Sequence, residues 1–489
     1  MKSLLKYIFI TVFVFFQTSC NSWLDILPPN GLIRNEFWKE KEDVEAVLMA
    51  AYESFSGIDE KLWLNGELRG DMLSRGTSQS SDEQKIMESN IYPDNEFCNW
   101  KAYYLIINYC NEVIKNAPAV KEIDNTFTDF HLKSLMAEAY FLRSMTYFYL
   151  VRIYKDVPLM LEPAENDGVN IYLPKSTEEV ILNQIVKDLN ENRDFAPSGS
   201  FTNLEDTKGR ASKVAFDALL ADIELWRFNY EEVLVHIQKI EERIDIGLMP
   251  SARWFEIFYP GNSFESIFEF QFDGKLGQNN SLAGLTQRTS NQYFASQKAI
   301  DLLSLESSFE IVRGENASIA RYGESSYYIF KYIGQSPDGL TVRSGSEGNS
   351  ANFIVYRLAD VLLMKAEALA MLERFPQSLE IINKIHERAN LSPLVLAENK
   401  VAFEDAIMLE RSLELSFEGK RWFDLLRLGR RNNFARKDKL IEIIISNVPS
   451  IQKRILAARL TNPLGWYLPI YDHEIERNIN LEQNSFYVN

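Results

Sequence analysis

"VAFDALLADIELWRFNYEEVLVHIQKI" (Val214–Ile240) and "ADVLLMKAEALAMLERFPQSLEIINKI" (Ala359–Ile385) can be written one above the other without a gap, at an offset of 145 residues from Val214 to Ala359. Ala221 then falls on Ala366, Tyr230 on Phe375, and Ile237 on Ile382. Each copy reads as helix, short turn, helix, with a small residue where the helices approach and an aromatic wedge after the turn, which is tetratricopeptide-like logic. Pro376 suits the first turn of its helix, where a missing N–H costs nothing.

Around these copies the helical periodicity continues. "NWKAYYLIINYCNEVIKNA", "LKSLMAEAYFLRSMTYFYLVRIY" and "STEEVILNQIVKDLNENRDF" each space apolar residues for a helix, the last opening with Ser176 and Glu179 in capping-box spacing. One strand is plain in "SIFEFQFDG", where Phe268, Phe270 and Phe272 alternate with Ile267, Glu269 and Gln271. The expected fold class is mainly α: a superhelical scaffold of tetratricopeptide-like pairs with loop-rich insertions and a few short strands. Two insertions, "DGKLGQNNSLAGLTQRTSNQ" and "GQSPDGLTVRSGSEGNSAN", are dense in Gly, Ser and Asn. Loops of this length in a compact domain are usually functional or disordered.

At the start, Lys2 and Lys6 precede a greasy run from Tyr7 to Phe16, then Thr18, Ser19 and Cys20. This is the layout of a secretory leader, too short to span a bilayer. A cysteine directly after small residues resembles the bacterial lipoprotein box, so residues 1–19 read as a leader and Cys20 as the lipidated first residue of the mature chain. Several acyl chains on one residue hold a protein on a membrane stably. Loss of Met1–Ser19, with its two lysines and no carboxylate, takes the net charge from −17 to −19 over 470 residues. Such an acidic chain disfavours nucleic acid and anionic lipid as partners. Residues 20–489 read as one domain, an N-terminal part to about residue 300 and a C-terminal part from about 301. Cys98 and Cys110 sit about 18 Å apart on a helix, beyond the 7 Å limit for a disulfide, and read as buried free thiols.

Catalytic signatures are missing. His386 and His473 are each followed by Glu, but Asn390 and Arg477 stand where a zincin would place its second His. There is no nucleophile elbow, phosphate loop, C-x-x-C pair or calcium loop, so no cofactor or metal is called for and the expectation is a non-enzyme. "WLNGELRGDMLSRG" reads as a loop carrying Trp63, Glu67, Arg69 and Asp71 together, a group that stacks on sugar rings and fixes hydroxyls and so suits a carbohydrate or peptide platform. The plain alternative is that Trp63 packs on the core. Tyr92 and Tyr293 complete the candidate ligand-binding set. In "LERSLELSFEGKRWFDLLRLGRR" the pairs Arg411/Glu414, Glu418/Arg421 and Asp424/Arg427 read as an ion-pair seam on one helix.

"ERSLELSFEGKRWFDLLRLG" also resembles a signature of the SusD/RagB family of surface nutrient-binding lipoproteins. "WKAYYLIINYCNEVI", "AEAYFLRSMTYFYLVRIYKDVPLM", "FESIFEFQFD", "YRLADVLLMKAEALA", "INKIHERANL" and "LPIYDHEIERNINLEQN" follow the family's order, and "CNSWLDILPPN" is similar to its mature start. The resemblance implies that Trp23, Leu24 and Pro28 dock the first mature residues. It further implies an outer-membrane lipoprotein facing the cell exterior, which captures oligosaccharide as the lid of a SusC-like TonB-dependent transporter. Peptide is the alternative ligand. The family's signature residues are scaffold residues, so the binding candidates rest on the loop reading alone.

Overall fold

A computed structural model of the chain describes residues 37–164, 170–199, 201–305, 312–323, 326–446, 448 and 450–488. The leader, Cys20, Trp23, Leu24 and Pro28 lie outside the described residues.

The two related segments fold alike. The first copy forms helices Lys213–Trp226 and Tyr230–Glu241, the second Leu358–Met371 and Phe375–Arg388. Their turns match at the same offset: Phe228 has φ 65° and its counterpart Glu373 has φ 62°. In both, the N–H one residue further on reaches back to a helix carbonyl, Asn229 to Glu224 and Arg374 to Leu369, each at 2.9 Å. This is the left-handed closure that satisfies the last orphan carbonyls of a helix. Tyr230–Glu241 packs against Leu358–Met371, so the copies are neighbours in space although remote in sequence. Ala221 and Ala366 are fully buried, and Lys365–Glu241 and Arg374–Glu231, both at 2.6 Å, stitch the exposed edge.

Helices Lys41–Ser56, Lys101–Ile123, Asp129–Tyr154 and Glu178–Asn192 extend the stack in sequence order. Asp129–Tyr154 is buried on every face along its second half, as a helix enclosed by neighbours must be. The cap of the fourth helix is Thr177, whose hydroxyl accepts from Val180 N, whereas Ser176 belongs to a short strand. Cys98 ends a short 3₁₀ turn and Cys110 lies in the following helix; both are free and buried. Burial pushes the Cys110 thiol up to about 12 and Cys98 higher still, so neither is a ready nucleophile.

Strand Ser266–Phe270 pairs antiparallel with Phe353–Arg357, and every residue of both is buried. The alternation therefore does not mark a wet face, because helices and loops cover both sides. Among the described residues, strands occur as four separate two-stranded sheets. Buried hydrophobic side chains from Val44 to Leu481 form one contiguous cluster. A separate small one unites Phe255, Ala283, Ala320, Tyr328, Phe330 and Ile333 beneath the two insertions.

The supposed single helix of the ion-pair seam is broken. Lys400–Glu414 and Arg421–Phe434 flank a loop in which Phe417 and Gly419 have φ of 63° and 73°. Asp424–Arg427 pair as expected at 2.9 Å, but the other two pairs do not form. Arg411 goes to Asp360 and Asp424, Glu418 to Arg357 and Lys331, and Arg421 to Asp71. These charges are buried, where each must meet an opposite charge with good geometry, and the strands and the N-terminal segment supply better partners than helix spacing does.

Candidate functional site

Four of the five expected contact residues are inside the protein. Trp63 is not in a loop but in helix Asp59–Glu67, fully buried, its Nε1 donating to the Phe417 carbonyl at 2.7 Å. Its ring meets Tyr293 edge-on, with centroids 5.8 Å apart. Tyr293 is equally buried in strand Tyr293–Ala295, which pairs with Leu73–Arg75. Arg69 donates to the carbonyls of Trp466 and Gly465, at 2.5 and 2.7 Å, and lies 4.4 Å from the Trp422 ring centre. Asp71 is held by Arg421 and Lys298; burial opposes its ionisation, yet these two cations keep its carboxyl at about 2. A ligand on the surface has no access to these four, which brace the N-terminal segment against the 415–421 loop and the C-terminal region. The physical reason is that Leu62, Leu64, Leu68 and Met72, all buried around them, pull the whole segment inward. Only Tyr92 offers a ring, 50% exposed, beside Pro93, whose carbonyl accepts from Asp472 N.

The two Gly/Ser/Asn-rich insertions do come together. Asn280 N donates to Asn349 O and Asn280 Nδ2 to Ala351 O, both at 3.0 Å, while Gly274 N donates to Ser350 Oγ. Between them opens a cavity of about 420 Å³, with Gln287, Arg288 and Thr289 on one wall and Arg343, Ser344 and Asn349 on the other. Tyr328 and Ile333 form its floor. They belong to the small hydrophobic cluster, so the site stands on a platform of its own.

Local chemistry fixes each wall. Helix Leu282–Thr286 ends before Gln287, leaving Gln287, Arg288 and Thr289 exposed. Hairpin Ile319–Tyr322/Ser326–Ile329 carries Tyr322, over whose ring the Arg288 guanidinium sits at 4.3 Å. On the other side, the Asp338 carboxylate accepts from Thr341 Oγ1, Thr341 N, Leu340 N and Ser336 Oγ, which lowers its pKa well below the usual range and clamps a tight turn. That turn presents Leu340, 85% exposed, at the rim. Gly339 (φ 69°) is required there, because a Cβ would lie 2.0 Å from Asn316 Oδ1.

Arg343 is only 6% exposed; it stacks on Tyr259 at 4.7 Å and donates from Nη2 to the Tyr332 carbonyl. Burial pulls its guanidinium down to about 10, with Tyr259 and Glu347 acting the other way. Burial raises the Tyr328 phenol, against Arg288 nearby. Amides, hydroxyls, guanidinium groups and an apolar floor suit a polyhydroxylated ligand held by hydrogen bonds and ring contacts. Among the described residues, no group of three or more His, Cys, Asp or Glu is placed to hold a metal ion.

Sequence reasoning singled out both insertions but not Arg288, Arg343 or Tyr328. The hairpin was legible in "SIARYGESSYYIF", two aromatic and β-branched runs around a Gly-containing turn.

Two larger cavities lie in the scaffold, of about 460 and 580 Å³, the first lined by Trp100, Tyr104 and Asn111, the second by Leu73, Met87 and Leu456. Neither is lined by residues of the two insertions; the first also takes in the segment around Met160 and Tyr172, the second the strand residues Ser74 and Arg75.

Comparison with known proteins agrees on one family. Residues 255–487 match the model described as SusD family, and residues 22–225 the model described as "Starch-binding associating with outer membrane". "SusD-like protein P2" of Formosa agariphila is 27% identical, with 94% of this chain and 95% of that protein covered. A SusD-like protein of Bacteroides ovatus is 22% identical over 87% of this chain and 82% of its own. A SusD superfamily crystal structure from Bacteroides thetaiotaomicron superposes with a TM-score of 0.73 at 23% identity, over 92% of this chain and 99% of that one. A laminarin-binding SusD-like protein superposes with a TM-score of 0.69 at 22% identity, over 91% of this chain and 99% of that one.

Proposed function

Because the chain belongs to the SusD family, we propose that it is an outer-membrane lipoprotein, anchored through Cys20, that captures oligosaccharide at the cell surface for a SusC-like TonB-dependent transporter. The observation that carries this is the cavity between the two insertions, an open site with hydroxyl, amide and guanidinium groups over an aromatic floor. The laminarin-binding SusD-like neighbour favours glycan as the ligand class, and the N-terminal match to a family of starch-binding proteins associating with the outer membrane favours that location. No helix among the described residues is long and apolar enough to cross a membrane, so attachment would fall to the lipid on Cys20.

Capture needs no chemistry on the ligand, and the buried network of Arg357 with Glu265, Glu414 and Glu418 is engaged in pairing within the scaffold. The transporter would complete the enclosure that a half-open cavity lacks. The test is calorimetric titration of the mature protein with neutral, acidic and sulfated oligosaccharides and with a mixed peptide digest. Binding of a glycan class that is lost when the Arg288 wall is altered supports the proposal. Binding of peptides alone would replace the ligand class and leave the transporter role standing.

A further inference from the structure

The loop cavity is unlike the rest of the protein in charge. The chain carries a net charge of −17, yet the residues lining this cavity include two arginines and no carboxylate. Arg288 is exposed on one wall and, among the described residues, has no ion-pair partner; its guanidinium rests on the Tyr322 ring, near the Tyr328 phenol. Arg343 on the other wall is more than nine-tenths buried, has no ion-pair partner among the described residues, and leaves its Nε without an acceptor. The nearby carboxylates are committed elsewhere: Asp338 to four donors of its own turn, Glu347 to Lys275 at 3.2 Å, and Glu315 to Arg321 on the outer edge of the hairpin.

A buried guanidinium normally meets an opposite charge, since desolvation without one is costly. Elsewhere among the described residues most buried arginines keep the rule; Arg69, held by the carbonyls of Trp466 and Gly465 and packed on the Trp422 ring, is an exception. Arg313, Arg357, Arg388, Arg411 and Arg427 each face one or more carboxylates inside the core. Arg343 departs from it as Arg69 does, but at the wall of an open cavity, opposite a second arginine without an ion-pair partner.

Resting on the glycan-capture reading, we infer that the cavity takes an anionic saccharide, with a carboxylate or sulfate group of the ligand placed between Arg288 and Arg343. Planar guanidinium groups pair with such oxyanions through two parallel hydrogen bonds, and the hydroxyl and amide side chains around them address the sugar ring.

The experiment titrates the mature, detergent-solubilised protein with four probes: an oligogalacturonide, its carboxyl-reduced counterpart, a sulfated galactan oligosaccharide and its desulfated counterpart. The expected result is that at least one anionic probe binds about tenfold or more tightly than its neutral partner, and that this advantage shrinks as salt is raised. Whichever anionic probe binds identifies the carboxylate or the sulfate as the group recognised. In Arg288→Gln, exposed and therefore expected to melt like the parent, the advantage should fall toward that of the neutral probe. Equal binding of the charged and neutral members of both pairs overturns the inference and leaves glycan capture intact. Absence of binding to all four, with peptides bound instead, overturns both.

Discussion

The indole N–H of Trp63 donates to the carbonyl oxygen of Phe417 at 2.7 Å, across a sequence separation of 354 residues. The same carbonyl accepts from the Tyr332 hydroxyl at 3.0 Å, so one loop carbonyl joins the N-terminal helix to the segment that leads into the binding loops. Phe417 can aim it there because it adopts φ 63° in the break between two helices.

Trp63→Ala should therefore act on stability. Removing a fully buried indole typically costs about 3–5 kcal/mol. Trp63→Phe keeps most of the packing and leaves the Phe417 carbonyl its Tyr332 partner, so its cost should be nearer to about 1 kcal/mol. Urea denaturation of both variants measures this. A Trp63→Ala protein with parental stability and weakened ligand affinity would instead return Trp63 to the surface role.

The repeats were legible because a helix pair writes its turn and its wedge into sequence, and Phe228 and Glu373 took up the same left-handed geometry at the aligned position. The insertions were legible from their Gly, Ser and Asn. The burial of Trp63, Arg69 and Asp71 was not, because "WLNGELRGDMLSRG" carries charged and glycine residues that look like loop chemistry. Glu67, Arg69 and Asp71 are buried ionisable groups with partners more than 300 residues away, at Gly419, Trp466 and Arg421. No local pattern reports such partners. Gly66, which suggested a loop, is there because a Cβ would lie 1.8 Å from the Gly419 carbonyl oxygen.

Arg357 is the centre of the buried charge network. It meets Glu265, Glu414 and Glu418 at 2.6 to 2.8 Å, and all four side chains are inaccessible. Arg357→Met would leave the acids short of one cation, with Arg388, Arg313 and Lys331 unable to cover every oxygen. Breaking a buried pair in this way costs about 3–5 kcal/mol. A thermal melt reads the loss, and a shift of only a degree or two would mean that the network repacks around the gap.

Glu67 gives stability a pH dependence. Burial pushes its carboxyl up to about 8, although the N–H groups of Gly419 and Lys420 and the charge of Arg421 work in the other direction. A group whose folded value is raised contributes its stability fully below the ordinary value of 4.5 and loses it as pH rises through about 8. Glu67→Gln keeps an acceptor for Gly419 N and has no proton to lose. The variant should gain on the parent as pH goes from 5 to 8, with the melting-temperature gap widening over that window. Parallel melting curves across it would show Glu67 ionised in the native state.

Tyr322 should matter to ligand affinity through Arg288, whose guanidinium it supports at 4.3 Å on its ring face. An exposed contact of this kind is worth about 0.5–1 kcal/mol. Tyr322→Ala should then weaken binding of the preferred oligosaccharide about two- to fivefold, with the melting temperature held. Tyr322→Phe retains the ring face and should bind like the parent, which separates support of the guanidinium from any hydrogen bond by the hydroxyl. Tyr92→Ala removes the other exposed tyrosine of interest, which does not line the cavity, and should leave affinity unchanged. Titration of the three variants with one oligosaccharide decides the matter: loss in Tyr92→Ala with none in Tyr322→Ala would move the binding face from the paired insertions to the turn at Pro93.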